Sequence, residues 1–263
     1  MTVAEKLTKI AKNEQKVYEA GYDSGYTEGI NKGGYADGFE EGKKAEYDAF
    51  WDAFQNYGNR NTYNYAFFQW GADTVHPKYK VVPTDASSLN QTFCESKLKK
   101  IESAYFDFSQ RPSGTYDANS AYFTCNACKE LEEIEDIGLF DSFKYCATFS
   151  WSPKLHTIAK IRVAESTLFN GAFTGCAKLK NITIEGTIGQ NGLDFSACKE
   201  LSADNIINII EHLSLTASGK TLTLSKAAVD KAFEESEGAN NGSQTQDWEY
   251  WYGTKQTWTI SLV

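Results

Sequence analysis

Phe173-Thr174-Gly175-Cys176-Ala177-Lys178-Leu179-Lys180-Asn181-Ile182-Thr183-Ile184 is the stretch on which the fold turns. Its Leu179–Ile182 pair belongs to a ladder in which Leu98–Ile101, Leu131–Ile134 and Leu155–Ile158 share the same three-residue step. Leu201 follows without the isoleucine, and from Leu131 onward the leucines advance by 24, 24 and 22 residues. A fixed period in that range marks a stacked solenoid rather than an enzyme pocket. A phenylalanine stands three residues before a cysteine in Phe143–Cys146, Phe173–Cys176 and Phe195–Cys198. A leucine follows the cysteine at the same distance in Cys128–Leu131, Cys176–Leu179 and Cys198–Leu201. The expected unit is a helical turn carrying Phe and Cys, a corner at Leu, and a strand ending in Ile-x-Ile. One such unit cannot bury its own apolar face and must stack on its neighbours.

These residues resemble a known family. The pattern Phe-x-x-Cys-x-x-Leu-x-x-Ile-x-Ile is similar to the BspA-type leucine-rich repeat of bacterial surface and phage-encoded proteins, over roughly residues 91–215. Other copies are degenerate. Phe93-Cys94 lacks the three-residue step, Phe123 reaches Cys128 over five residues, and residues 147–154 read as an insertion between Cys146 and Leu155.

Beyond the repeats, residues 202–213 read as a helix, with Ile206, Ile207, Ile209, Ile210 and Leu213 at helical spacing. The run 219–225, a second helix near 226–235 and a last strand over 258–263 follow. This tail, together with residues 45–55, is similar to proteins encoded beside tail genes in phages and prophages of gut Firmicutes. The expected class is α+β: a BspA-like leucine-rich-repeat solenoid with an N-terminal helical, Gly/aromatic-repeat oligomerisation segment and a C-terminal α/β cap. The divisions are 1–46 for a stalk or attachment segment, 47–90 for an aromatic junction and N-terminal cap, 91–215 for the solenoid and 216–263 for the C-terminal cap.

The N-terminal segment has its own pattern. Val3, Leu7, Ile10 and Val17 form a short, imperfect heptad seam. A tetrad repeat follows at Gly21-Tyr22, Gly25-Tyr26 and Gly29-Ile30, slips at Gly33-Gly34 and ends with Gly38-Phe39 and Gly42. An interior helical glycine costs up to ~1 kcal/mol relative to alanine, so a lone helix here is unstable unless another chain packs against the glycine groove. A homo-oligomeric stalk is expected, and the phage resemblance implies a trimer. The alternative is a flexible Gly/Tyr linker.

Aromatic residues supply the contact shortlist. Tyr47, Phe50, Trp51 and Phe54 share one helical face, read as a cap on the first edge of the stack. Residues 59–70 read equally as cap or as sugar-binding platform, which places Trp70 among the ligand contacts. Trp248 and Trp251 sit in a Gly/Asn/Gln-rich loop region, and Trp151 lies within the insertion; insertions map to loops on one face. Trp258 is expected in the core.

Composition limits the function. A formal net charge of −9 argues against nucleic acid, whose phosphates need a basic footprint, and disfavours an anionic membrane surface. No run approaches the ~18 apolar residues of a membrane span. Residues 1–18 have no apolar central block and no small-residue cleavage site, so they do not read as a signal peptide. Surface adhesins of BspA type are secreted, so this favours a virion protein made in the bacterial cytoplasm. Cys94, Cys125, Cys128, Cys146, Cys176 and Cys198 are expected as buried free thiols filling the stack. Cys125 and Cys128 do have redox or zinc spacing, but His76, His156 and His212 are scattered. No metal or cofactor is expected.

No nucleophile elbow, Walker loop, HExxH or dinucleotide fingerprint occurs in the chain. The acidic run Glu130, Glu132, Glu133, Glu135 and Asp136 alternates with Leu131 and Ile134, as the solvated side of a repeat would. The expected function is non-enzymatic: recognition of a host cell-surface glycan or protein by a phage tail or baseplate component that also contacts other tail proteins. A cell-surface adhesin and a purely structural baseplate subunit are the alternatives.

Overall fold

The computed structural model describes residues 67, 69–82, 91–109, 124–139, 145, 147–239 and 257–263. The seam residues Val3, Leu7, Ile10 and Val17, the glycines Gly21, Gly25 and Gly29, and Trp248, Trp251 and Cys146 lie outside the described residues.

Four strands, β1 (Lys100–Ile101), β2 (Glu133–Ile134), β3 (Thr157–Val163) and β4 (Asn181–Gly186), form a parallel sheet in sequence order. Register places Ile101, Ile134, Ile158 and Ile182 in one column, and all four are buried. Leu98, Leu131, Leu155, Leu179 and Leu201 are likewise buried. Only a rise that repeats from one rung to the next keeps identical side chains in register along parallel strands. In β3 the register shifts between Ile158 and Ile161, so an extra residue is accommodated while both isoleucines stay in the core. Gly186 ends β4 at φ +107°, where a Cβ would sit 2.0 Å from the Val163 carbonyl oxygen, so only glycine permits that approach.

Opposite the sheet the chain makes turns, not the helical turn expected. Backbone bonds link these turns from rung to rung: Phe67 N–H to Thr92 O, Phe93 to Thr124, Cys125 to Thr148 and Phe149 to Ala172. A second set two residues on joins Gln69 to Cys94, Glu95 to Asn126, Ala127 to Ser150 and Trp151 to Thr174. These bonds define which residues are equivalent and correct the expected repeat. Phe149, not Phe143, occupies the phenylalanine position, and Ser152 the cysteine position, so residues 147–154 are an ordinary rung and not an insertion. Cys125 and Cys128 fill the phenylalanine and cysteine positions of one rung. Phe67 and Trp70 fill them in a rung earlier than residue 91, and Phe67 stacks on Phe93 at 5.3 Å.

The cysteine position has a chemical requirement. Cys128 Sγ donates to Phe93 O and Cys176 Sγ to Phe149 O, each at 3.0 Å. Ser152 Oγ donates to Cys125 O at the same distance. In each case a small buried donor satisfies the carbonyl of the preceding rung's phenylalanine position. Cys94, Cys125, Cys128, Cys176 and Cys198 are free and buried. Burial pushes the Cys128 thiol up to about 11 and the Cys94 and Cys176 thiols up to about 12, so they remain protonated donors.

After Leu201 a helix replaces the next strand. Ser202 N–H still bonds Lys180 O, as Lys180 N–H bonds His156 O one rung earlier. Residues Ala203–Glu211 then form α1, burying Ile206, Ile209 and Ile210. Asn205 and Asn208, three apart on one face of α1, accept from Ile182 N–H (2.6 Å) and Ile184 N–H (2.8 Å). The outer edge of β4 is thereby satisfied by side chains, which covers an edge that otherwise invites strand addition.

A second parallel sheet follows, with β5 (Leu193–Phe195), β6 (Lys220–Leu224) and β7 (Trp258–Leu262) in that order and α2 (Lys226–Ala239) between β6 and β7. The expected boundary at 215/216 therefore falls inside one sheet, because β5 pairs with β6. Trp258 is buried and donates from Nε1 to Ser214 O at 2.9 Å. One apolar core runs from Phe67 to Trp258.

Cys176→Ser is expected to fold with near-native stability, because serine already serves at position 152. Cys176→Ala loses the donor and some volume, and chemical denaturation should register a loss of about 1–2 kcal/mol. Asn208→Leu strands the Ile184 N–H, at a cost of about 1–3 kcal/mol, and light scattering should reveal a greater tendency to associate through the bared β4 edge.

Candidate functional site

Two surfaces run along the stack, and their side chains are committed differently. On the outward face of the first sheet the charges pair across rungs. Lys100 Nζ lies 2.6 Å from Glu135 and 3.5 Å from Glu133. Arg162 grips Asp136 through two nitrogens at 3.0 and 3.1 Å and reaches Glu185 at 2.9 Å. Lys160 stands between the same two carboxylates. The Lys100 hydrogen bond, with further bonds from the backbone and hydroxyl of Ser103, holds the Glu135 carboxyl at about 2. Burial raises Asp136, but bonds from Arg162 and the Gly138 backbone outweigh it and leave a net lowering. Glu130, Glu133, Glu135 and Asp136 of the acidic run thus serve inter-rung pairing.

The turn edge is organised by backbone handedness. Gln69 (φ 52°), Glu95 (φ 57°), Ala127 (φ 54°), Trp151 (φ 60°) and Gly175 (φ +77°) occupy the same position in five rungs. A left-handed residue in this turn aims its N–H at the next rung, and the four non-glycine members all make that bond. Glycine meets the requirement without strain, whereas a side chain costs about 1–2 kcal/mol there. For a bulky residue such a φ is an outlier. Trp151 is that residue, and its side chain projects into solvent with 63% of its surface exposed. Its Cε3 edge lies 3.2 Å from where a Cβ on Gly175 would stand, so the ring rests on the bare backbone of the next rung.

The remaining shortlisted residues are placed as follows. Trp70 is buried, packs edge-to-face on Phe67 at 5.8 Å and donates to Thr74 O at 3.0 Å. It is a core residue at the cysteine position of its rung and cannot serve as a ligand platform. Gln69, Glu95 and Ala127 escaped the sequence reading although they share the column with Trp151. Their signal is position, two residues after the phenylalanine site, and it is visible only once Cys125 and Phe149 are placed in that site. Gln69 Nε2 bonds Glu95 Oε2 at 2.8 Å, forming a polar pair on the strip.

A separate cavity of about 370 Å³ is lined by Glu165, Glu211, His212, Ser214, Leu215 and Thr216. Glu165 Oε1 accepts from Ser214 Oγ (2.6 Å) and Thr216 Oγ1 (3.2 Å), while Ser214 O accepts from Trp258. These bonds tie the two sheets together. No helix among the described residues is long and apolar enough to cross a membrane. Comparison with family models, curated proteins and solved structures finds no match to this chain.

The depressed carboxylates give stability a pH dependence of definite sign. Glu135 binds its proton less readily folded than unfolded, so its contribution is present above its ordinary value of 4.5 and is lost as pH falls toward about 2. Thermal melting should be level from neutral pH down to about 4.5 and then fall steadily toward pH 2. Glu135→Gln should flatten part of the fall.

Proposed function

We propose that this chain is a non-enzymatic recognition protein that uses a BspA-like leucine-rich-repeat solenoid to contact a host cell surface, as a component of a phage tail or baseplate. The observation that carries the binding role is Trp151: an aromatic side chain 63% exposed at a left-handed backbone position. Strain of that kind concentrates at functional sites, and Trp is among the residues most enriched where binding energy is concentrated. Placing it at this position costs stability, and the exposed ring recovers little of that cost in packing. The solenoid reading is supported by the in-register isoleucine column and by inter-rung bonds that repeat at the phenylalanine position. The phage setting rests on the resemblance of the tail and of residues 45–55. It would place the heptad and glycine segment as a homo-oligomeric, preferentially trimeric attachment to other tail proteins, with Trp248 and Trp251 as further contacts.

Purified full-length protein should bind intact cells of a susceptible gut Firmicute saturably. Trp151→Ala should weaken that binding by about tenfold or more while circular dichroism stays unchanged. Wild-type protein that forms stable oligomers but binds no strain would point instead to a structural baseplate subunit.

A further inference from the structure

We infer that the turn edge around Trp151 binds a neutral hexose chain, with the indole as stacking platform and the Gln69–Glu95 pair as hydrogen-bonding partner for hydroxyl groups. The inference rests on the host-recognition reading and narrows it to one chemical class.

The geometry of the strip is set by the rungs. Hydrogen-bonded rungs stand about 4.8 Å apart, so Gln69, Glu95, Ala127, Trp151 and Gly175 follow one another along the edge at about that spacing. The residues flanking Trp151 in that row are Ala127 and Gly175, the two smallest available. Ala127 leaves a step two rungs wide between the indole and Glu95, about 10 Å on the same spacing. Gly175 gives the ring a seat on its other side. A pyranose ring has an apolar face of C–H groups and an equatorial rim of hydroxyls. A chain of such rings therefore needs one flat apolar surface and, about two rings' width along the chain, groups that both donate and accept hydrogen bonds. The amide of Gln69 donates and accepts, and the carboxylate of Glu95 accepts. A β-linked hexose chain also repeats on a scale similar to the rung spacing, so a linear glycan can run along the row without losing register.

Two other ligand classes fit less well. A protein partner would use Trp151 as an anchor within an apolar patch. Among the described residues the other exposed large apolar side chains are Tyr79, Leu215, Leu262 and Val263, and none stands at a turn position of these rungs. An anionic wall polymer needs cations, yet no member of the row is Lys or Arg, Glu95 is acidic, and the chain as a whole carries −9.

The test uses full-length protein, wild type and the variants Trp151→Ala, Trp151→Phe and Glu95→Ala, on cells of a strain that the wild type binds. Cells are taken untreated, protease-shaved or periodate-oxidised. The neutral polysaccharide and the teichoic-acid fraction purified from the same wall serve as separate competitors. The expected result is binding that survives shaving, is abolished by periodate and is competed by the neutral fraction. Trp151→Ala should weaken it about tenfold or more, Trp151→Phe should restore part of it, and Glu95→Ala should weaken it severalfold. Trp151-dependent binding that is lost on shaving, or competed by the teichoic-acid fraction alone, overturns the neutral-glycan inference and leaves host recognition standing. Binding indifferent to Trp151→Ala overturns the site. A wild type that binds no cells overturns host recognition, and the inference with it.

Discussion

The hydrogen bond from Cys176 Sγ to the Phe149 carbonyl, with its counterparts from Ser152 and Cys128, is the contact around which these three rungs are built. It joins a small side chain in one rung to the backbone of the preceding rung at a point with no access to water. A carbonyl left unpaired there would cost about 1–3 kcal/mol, and a larger side chain would force the rungs apart. Two demands, size and donor capacity, therefore meet on one atom. They leave Cys and Ser as natural occupants, with Cys gaining more from burial. Uniform rise then follows, and uniform rise keeps Ile101, Ile134, Ile158 and Ile182 in one column and Phe149, Phe173 and Phe195 stacked at 5.6 and 4.4 Å.

A stack built this way has no intrinsic end, and the chain supplies one by changing the element while keeping the register. The corner bond to Lys180 O is made by Ser202, as in earlier rungs, but the missing isoleucine after Leu201 coincides with the entry into α1. Asn205 and Asn208 stand 23 and 24 residues beyond the amides they accept from, which is the repeat length. The helix thus occupies the space of the absent strand and presents side-chain oxygens where that strand would have presented carbonyls. The pairing with Ile184 uses both ends of the asparagine amide: aspartate would accept from the N–H equally but could not donate back to Ile184 O as Asn208 Nδ2 does at 3.5 Å.

The parts of this fold legible in the sequence are those where one side-chain type is required. The Leu–Ile pairs could be read because a buried corner and an inward strand position both demand an aliphatic group, and the spacing between them does not vary. The phenylalanine and cysteine positions were misread where chemistry, not hydrophobicity, is conserved from rung to rung. Ser152 looks polar in sequence yet is the buried donor of its rung, and Cys125, a buried thiol as expected, stands where other rungs carry phenylalanine. Serine in place of cysteine at 152 makes residues 147–154 resemble an insertion and places Trp151 on a loop for the wrong reason. Trp70 was misplaced for a related reason: in the first described rung a bulky ring can sit where later rungs must keep a small donor. Handedness at the turn has no signature in residue type, since Gln69, Glu95, Ala127 and Trp151 share only a backbone conformation and their place two residues after the phenylalanine site.

That last property makes the turn edge, and not the strand face, the natural place for the recognition proposed above. On the strand face Lys100, Lys160 and Arg162 are engaged by carboxylates of neighbouring rungs, so changing one residue there unpairs another. At the turn the backbone N–H makes the structural bond and the side chain points away from it. Any residue that tolerates a left-handed φ can be installed without disturbing the ladder, at a cost of about 1–2 kcal/mol. Four of five rungs accept that cost, but only Trp151 does so with a large apolar ring turned to water. A scaffold whose stability is carried by the cysteine-position bonds and the isoleucine column can absorb such a residue. The fold therefore separates the atoms that hold the rungs together from the turn side chains that the ladder leaves open to change.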